Sequence, residues 1–562
     1  MKITIRLEFE YIFPEEEERD ILYYLAKVSS ETLLKIIGFF NTKSLPNFDN
    51  FFSNPEVAKD IYNRVFEYTK KQSIRDKPEV ISQQGSLKLS ELILANKASL
   101  IENNNNNSID DDEINIFKAF LIINSELNRS QVLNNTSEVN YEKLVDYSII
   151  FSFPISDLAI FENDDIEFLK SLYATIVKVE QLFNFLNSKK EFEKLKTSLI
   201  QSFNTNNEKD FFKEMKYLFG KLLELKTTNN YIFKVDNNES EKFINSMISD
   251  DINTDVDFTY IKINPLYKLE DKTYSIINYF YVVDKFYRST KYKIKEIYEA
   301  DENLTSQFGD FLGFFNKEFS ENFLMKNILD EIFYERYFIK KNETENELDG
   351  EPDYYLRHNN RVFIFENKDV WIAKSIKSSG DIEKINKVLK QKFLGDNNHK
   401  VGIGQLINTI EELLSGNFRF DNYVNQNKNL KIYPILLVHD RIFQSLGINY
   451  RLNQWYLESA KSRLENKYNP SNIKSLTVID IDTMILWSPH LKKKDKNFRE
   501  ILDSHLTKLN KYKKTNIRDY EYGLELVNRR LTERLTAISH REIPYQLPSE
   551  ILINKFKDVL KD

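Results

Sequence analysis

The hydrophobic pattern changes character along the chain. Strict alternation from Ile3 to Tyr11 predicts a half-buried strand. Pro14 and Glu15 to Glu18 then lead into a helix through Leu22, Leu25 and Val28, an acidic start that the helix dipole favours. Ile166, Leu169, Tyr173, Ile176, Val179, Phe183 and Leu186 recur at steps of three and four. They predict an amphipathic helix with Asp164 or Asp165 as N-cap and an aromatic stripe turned to the core. More helix follows through Leu199 and Met215 to Leu225. Near residue 255 the texture shifts. Asp257 to Lys262 and Thr273 to Val283 read as strands, and Phe311 to Phe338 as one or two helices. Lys431 to His439 and Lys474 to Asp480 are short runs apolar on both faces, which suits strands buried between helices.

The most informative stretch is Glu351 to Lys368. Two runs rich in Tyr, Val, Ile and Phe flank the polar tip His358-Asn359-Asn360-Arg361. Asparagine tolerates positive φ, so Asn359-Asn360 suits a two-residue hairpin turn. With His358 facing Arg361, Asp353 falls opposite Glu366. Directly opposed residues have Cβ atoms about 5 Å apart, where like charges repel. A divalent cation between them turns that repulsion into coordination. Lys368, two residues past Glu366, shares its face. Two acids and an ammonium group on a rigid hairpin suit phosphodiester hydrolysis.

Pro352-Asp353 and Glu366-Asn367-Lys368 resemble the active site of the PD-(D/E)XK nuclease superfamily, which has the restriction-endonuclease-like fold. The resemblance covers about residues 310 to 490. It implies Asp353 and Glu366 as ligands of Mg²⁺ (or Mn²⁺), the Asn367 backbone carbonyl as a further ligand, and Lys368 as the water-orienting, charge-stabilising residue. Many relatives carry an extra acid on the helix before the first strand. Glu321 is the choice here, with Glu318, Glu331 and Glu335 competing. A Gln on a following helix often points at the metal, which makes Gln405 a candidate.

The order helix, hairpin, helix, strand, helix, strand fits a sheet covered on both sides. The expected fold is α/β: a restriction-endonuclease-like α/β/α core with a large, mainly helical N-terminal region and a helical C-terminal extension. The boundaries read as 1–240 for the helical N-terminal region, 241–309 for a β-rich connection, 310–490 for the nuclease core and 491–562 for the extension.

Composition narrows the chemistry. The chain of 562 residues has a net charge of −7, so any nucleic-acid surface must be a local concentration of base. Ten Lys or Arg against three acids lie between His490 and Arg518, with Lys492, Lys493, Lys494, Lys511, Lys513 and Lys514 the candidate phosphate contacts. From Lys285 to Tyr298 basic and aromatic residues interleave, which fits either nucleic-acid contact or a two-faced strand. Lys374, Lys377, Lys384, Lys387, Lys390 and Lys392 hold phosphates or form a solvated helix face. Glu102 to Asp112 reads as an exposed loop, not a catalytic acid cluster. His439 and Asp440 read as capping or turn residues.

There is no cysteine, which excludes disulfides and thiol nucleophiles and fits a reducing cytoplasm. The six histidines show no ligand spacing, and no phosphate-cradling glycine loop is present. Met1 to Ile5 lacks a signal-peptide pattern, and the apolar run Tyr147 to Phe161 is broken by Pro154 and Asp157, so no membrane partner is expected. The leading expectation is a Mg²⁺-dependent endonuclease acting on DNA, by analogy in bacterial defence against phage or plasmids. The alternatives are a catalytically silent nucleic-acid-binding or scaffold subunit of a defence complex, with a protein partner, and an RNA-cleaving effector.

Overall fold

The computed structural model describes residues 6–42, 51–72, 78–101, 107–129, 141–156, 165–249, 252–333, 338–340, 352–396, 400–427, 429–492 and 498–511. They form a mixed α/β structure, mostly helical, around two small sheets. The first sheet has three antiparallel strands, β1 (Ile232–Lys234), β2 (Leu266–Glu270) and β3 (Thr273–Ile276), in the order β1-β3-β2. The second has five, β4 (Phe338–Lys340), β5 (Tyr354–His358), β6 (Arg361–Lys368), β7 (Lys431–Val438) and β8 (Thr477–Asp480), in chain order. β4, β5 and β6 are antiparallel neighbours, whereas β6, β7 and β8 run parallel.

The five-stranded sheet is buried on both faces, which explains the continuous apolar runs of β6 and β7. On one face Leu356, Phe363, Phe365, Ile435 and Leu437 pack with the helices Asp165–Ser188, Lys326–Phe333 and Ile481–Leu491. On the other, Tyr355, Val362, Ile364, Leu436 and Val438 pack with Tyr141–Ser152, Ile382–Phe393, Ile403–Ser415 and Ile448–Leu464. Pro434 is tolerated in the central strand β7 because it falls in the gap between the Ile432–Ile473 bridge and the β8 pairing that begins at Ile435. A third core joins the N-terminal helices to the three-stranded sheet through Phe117, Phe120, Tyr267 and Ile277.

Several expected elements differ. Of Ile3 to Tyr11, residues 1–5 lie outside the described residues. Arg6 makes one isolated bridge to Glu79, and Phe9–Ile12 is a helical turn. The Asn124 side-chain amide donates to the Leu7 and Val80 carbonyls, doing the work of a neighbouring strand. Glu15 to Glu18 precede the next helix, whose N-cap is Asp20. The expected strand Asp257 to Lys262 is instead the helix Thr259–Ile263, because Asp255 Oδ1 accepts from the Asp257 and Thr259 N–H groups and turns the chain. Thr273 to Val283 is divided at Asn278, whose side chain caps the helix Tyr279–Asp284. The 241–309 segment is therefore mainly helical, not β-rich. Lys285 to Tyr298 is helix with a wide π turn at Lys285–Ser289, and Phe286, Tyr287, Ile294 and Tyr298 are buried. Tyr292 alone of its aromatics is exposed.

The stripe between Leu169 and Leu186 lies on the helix Asp165–Ser188 and is core. Residues 102–106 of the acidic stretch lie outside the described residues, while Asp110 to Asp112 form the first turn of the helix Ile109–Arg129. Asp112 is buried and accepts hydrogen bonds from the Ser29 N–H and the Ser29 and Thr32 hydroxyls, so it is a structural cap and not part of a loop. No helix among the described residues is long and apolar enough to cross a membrane.

Candidate active site

The hairpin forms in the expected register. His358 pairs with Arg361 and Tyr354 with Phe365, and Asn359 takes the positive φ of the turn at 54°. Continuing that ladder by one pair brings Asp353 to Glu366. Asp353 is held by a hydrogen bond from the Asn367 backbone N–H to its Oδ2, at 2.6 Å. Lys368 Nζ lies 3.6 Å from Glu366 Oε2 on the same face. The three groups that the sequence brought together are therefore adjacent.

Their burial is graded. Glu366 is fully buried, the Lys368 side chain is 16% exposed, and Asp353 is partly exposed. Neither Glu366 oxygen has a hydrogen-bond partner among the described residues. Burial pushes the Glu366 carboxyl well above the usual carboxylate range, and the charges of Asp353 and Glu321 push it further against the pull of Lys368. Burial opposes the Lys368 charge, but Glu366, Asp353 and Glu321 outweigh it and hold the ammonium above its ordinary value. One cation thus serves several acids.

Glu321 acts electrostatically on both Glu366 and Lys368, which distinguishes it from its competitors. Glu318 pairs with Lys189 at 2.9 Å and Glu331 with Lys492, while Glu335 lies outside the described residues. Glu321 sits on a π-helical segment, Phe315–Met325, where one extra residue per turn widens the backbone. Its neighbour Ser320 donates to Asp369 Oδ2 at 2.6 Å. Asp369 in turn accepts from Lys291 Nζ at 2.6 and 2.9 Å, a fully buried pair. Burial opposes its charge, but Lys291 and His439 outweigh that and hold the carboxyl near 2. The Ser320 bond pins the end of β6 to the π segment, and the Lys291 pair pins it to the helix Thr290–Glu299.

Gln405 is engaged in a helix cap. Its Oε1 accepts from the Gly402 N–H at 2.7 Å, the reciprocal half of a helix cap. That cap has its own link to the site. Gly402 has φ +50°, and a Cβ there would stand 3.2 Å from Lys368 Cε. A side chain at 402 would crowd the lysine. Asn367 turns its side chain to the opposite face, where Oδ1 accepts from His439 Nε2 at 2.7 Å. Burial lowers the His439 imidazole to about 4 and keeps it neutral. His439 is thus a buried structural partner that sequence position alone did not reveal. Asp440 caps the turn Arg441–Gln444 and pairs with Arg288, as a capping role requires.

The basic surfaces are less assembled. Lys492 is paired with Glu331, and Lys511 ends the helix Phe498–Lys511. Lys493, Lys494, Lys513 and Lys514 lie outside the described residues. Lys374 pairs with Asp255, Lys377 is buried on Asp257, and Lys384 pairs with Asp381.

Among the described residues no group of three or more His, Asp or Glu side chains is placed to hold a metal ion. The donor set is two carboxylates with Glu321 further off. Mg²⁺ is commonly held by one or two carboxylates with water and substrate phosphate completing the shell, and the partnerless Glu366 oxygens beside Asp353 fit that pattern. No protein-family model, curated protein or solved structure matches the chain.

Proposed function

We propose that the chain is a metal-dependent nuclease of PD-(D/E)XK type, hydrolysing phosphodiester bonds in DNA. One observation carries the reading: a fully buried carboxylate, Glu366, has no donor among the described residues and sits beside a second acid and a lysine on one face. Such a group is costly unless a cation completes it. The mixed sheet covered by helices on both faces supports the reading too, since it has the α/β/α layering expected of the core.

In this mechanism Asp353 and Glu366, with the Asn367 carbonyl, would hold Mg²⁺ or Mn²⁺, which when bound would supply a water of lowered pKa and neutralise charge on the phosphate. Asp353 is oriented by the Asn367 N–H. Lys368, at the partly exposed edge, orients the attacking water and meets the charge that develops on the phosphorus oxygens. Glu366 and Asp353, with Glu321 adding to them, favour the protonated lysine. A role in defence against phage or plasmids, in a reducing cytoplasm, is carried over by analogy.

The test is incubation with single- and double-stranded DNA and RNA, with Mg²⁺ or with EDTA. Cleavage that needs the metal and disappears in both Glu366→Ala and Lys368→Ala, with folding retained, supports the proposal. Unchanged cleavage moves the active site elsewhere. RNA-only cleavage favours an RNA-cleaving effector. Binding without turnover favours a silent scaffold subunit, possession of all three site groups notwithstanding.

A further inference from the structure

A cavity of about 530 Å³ opens beyond the carboxyl ends of β6, β7 and β8. Ligands of open parallel sheets are held at that edge, and the volume is typical of a small-molecule site. Asp369 and Trp371 enter it after β6, His439 and Arg441 after β7, and Asp482 after β8. The far wall comes from the helix Asp165–Ser188 and from Tyr281 to Tyr292. The cavity is not the Glu366 face. Asp369 directly follows Lys368 but turns to the other side, so the two sites share a strand end.

Three properties of the wall limit what it can take. First, seven Lys or Arg face five Asp, a surplus of two positive charges. Asp255, paired with Lys374 from outside the wall, lowers that surplus to one. The surplus is concentrated where Lys262 and Lys377 share the single carboxylate Asp257, at 2.9 and 2.7 Å. One phosphate group matches it. A triphosphate would overfill it, and an apolar ligand would strand the ions.

Second, Tyr287 Oη and His439 Nδ1 are among the buried polar atoms on the wall without a hydrogen-bond partner among the described residues. Because His439 Nε2 donates to Asn367, its Nδ1 is left as an acceptor. Tyr287 is 4% exposed, with its ring flanked by the ammonium groups of Lys178 at 4.6 Å and Lys291 at 5.1 Å. These atoms call for a ligand with hydroxyl or amino groups. Third, the rim carries Tyr292, 54% exposed, against Trp371 with ring centroids 4.8 Å apart. The exposed Tyr292 ring, tilted against the half-buried Trp371 and beside cations, offers a base a face to stack on.

We propose that this cavity binds one nucleotide unit, with its base on Tyr292 and Trp371, its phosphate at Lys262 and Lys377, and its sugar hydroxyls toward His439 and Tyr287. The unit comes either as a free mononucleotide or as the end of a single strand, and the chemistry is the same. This site is independent of hydrolysis, although it lies next to the proposed nuclease centre.

Calorimetric titration of the full chain in EDTA tests it, with adenosine 5′-monophosphate, adenosine, inorganic phosphate and hexathymidylate as probes. We expect one-site binding of the monophosphate, of the oligonucleotide or of both, weakened at least tenfold in Tyr292→Ala and in Lys262→Gln and unchanged in Glu366→Gln. Binding of the monophosphate assigns a free nucleotide, and binding of hexathymidylate alone assigns a strand end. No binding by either, inorganic phosphate binding as tightly as the monophosphate, or binding indifferent to both substitutions overturns the proposal. Because EDTA prevents metal-dependent cleavage, loss of the nuclease reading leaves this result standing, and the reverse holds.

Discussion

Replacing Glu366 by Gln separates a metal site from an ordinary buried polar residue. At an effective dielectric of 20, the Lys368 ammonium 3.6 Å away attracts Glu366 by about 4–5 kcal/mol. Asp353, directly opposite, repels it by a comparable amount on the same scale, and Glu321 adds to the repulsion. The Coulomb terms nearly cancel. What remains is desolvation, which pushes the Glu366 carboxyl well above its usual range and costs several kcal/mol whenever the group is charged. Gln keeps the shape, can donate to Asp353 and accept from Lys368, and leaves Lys368 with Asp353 and Glu321 as counter-charges. Without metal, Glu366→Gln should therefore match or exceed the wild type, by about 1–3 kcal/mol. Thermal unfolding in EDTA reads this on the order of 2 °C per kcal/mol. Adding Mg²⁺ at a hundred times its dissociation constant should stabilise the wild type by about 2.7 kcal/mol, and the variant hardly at all. A variant that loses several degrees in EDTA, or that responds to Mg²⁺ like the wild type, would refute the reasoning.

Other perturbations test the supports of the site. Lys291→Met leaves Asp369 a buried carboxylate without its ammonium, and should cost about 3–5 kcal/mol in denaturant unfolding. Gly402→Ala puts a Cβ at φ +50°, 3.0 Å from the Phe393 carbonyl and 3.2 Å from Lys368 Cε. It should destabilise by about 1–3 kcal/mol and lower any metal-dependent cleavage, whereas Gly416→Ala, also at positive φ but facing only the Asn425 carbonyl at 3.6 Å, should affect stability alone. Burial depresses His505 to about 4. The unfolded chain takes up that proton below about 6.5 while the folded one does not, so stability falls as pH drops from about 6.5 to 4, by about 3 kcal/mol for this group. His505→Leu should flatten that part of the stability–pH curve; an unchanged slope would remove His505 from the account.

The hairpin was legible because its signals are local. Aromatic and β-branched runs, an Asn-Asn tip and a two-residue turn fix the register, and the register fixes Asp353, Glu366 and Lys368 without any tertiary knowledge. Glu321 was reachable only as one of several helical acids, since what singles it out is a π turn and a Ser320–Asp369 bond to a strand far along the chain. Gln405 carried a capping signal, a Gln at the third position of a helix after glycine, that competes with a ligand role and wins. The Asp257 and Thr273 segments misread because side chains of Asp255 and Asn278 capture backbone donors and turn the chain into helix. The cavity wall was invisible to any local pattern. Its ion pairs join Lys178 to Asp482, Lys291 to Asp369 and Arg441 to Asp284, residues that meet only in the folded chain.

The five-stranded sheet is gripped from both sides by helices that precede it by some two hundred residues: Tyr141–Ser152 lies in one core with Val362 and Ile364, and Asp165–Ser188 in the other with Phe363 and Phe365. The stretch from 310 to 490 is thus an inlay rather than a module. Excised at those boundaries, it would present two stripped greasy walls to water and clump, so a minimal folded fragment has to begin upstream of Tyr141.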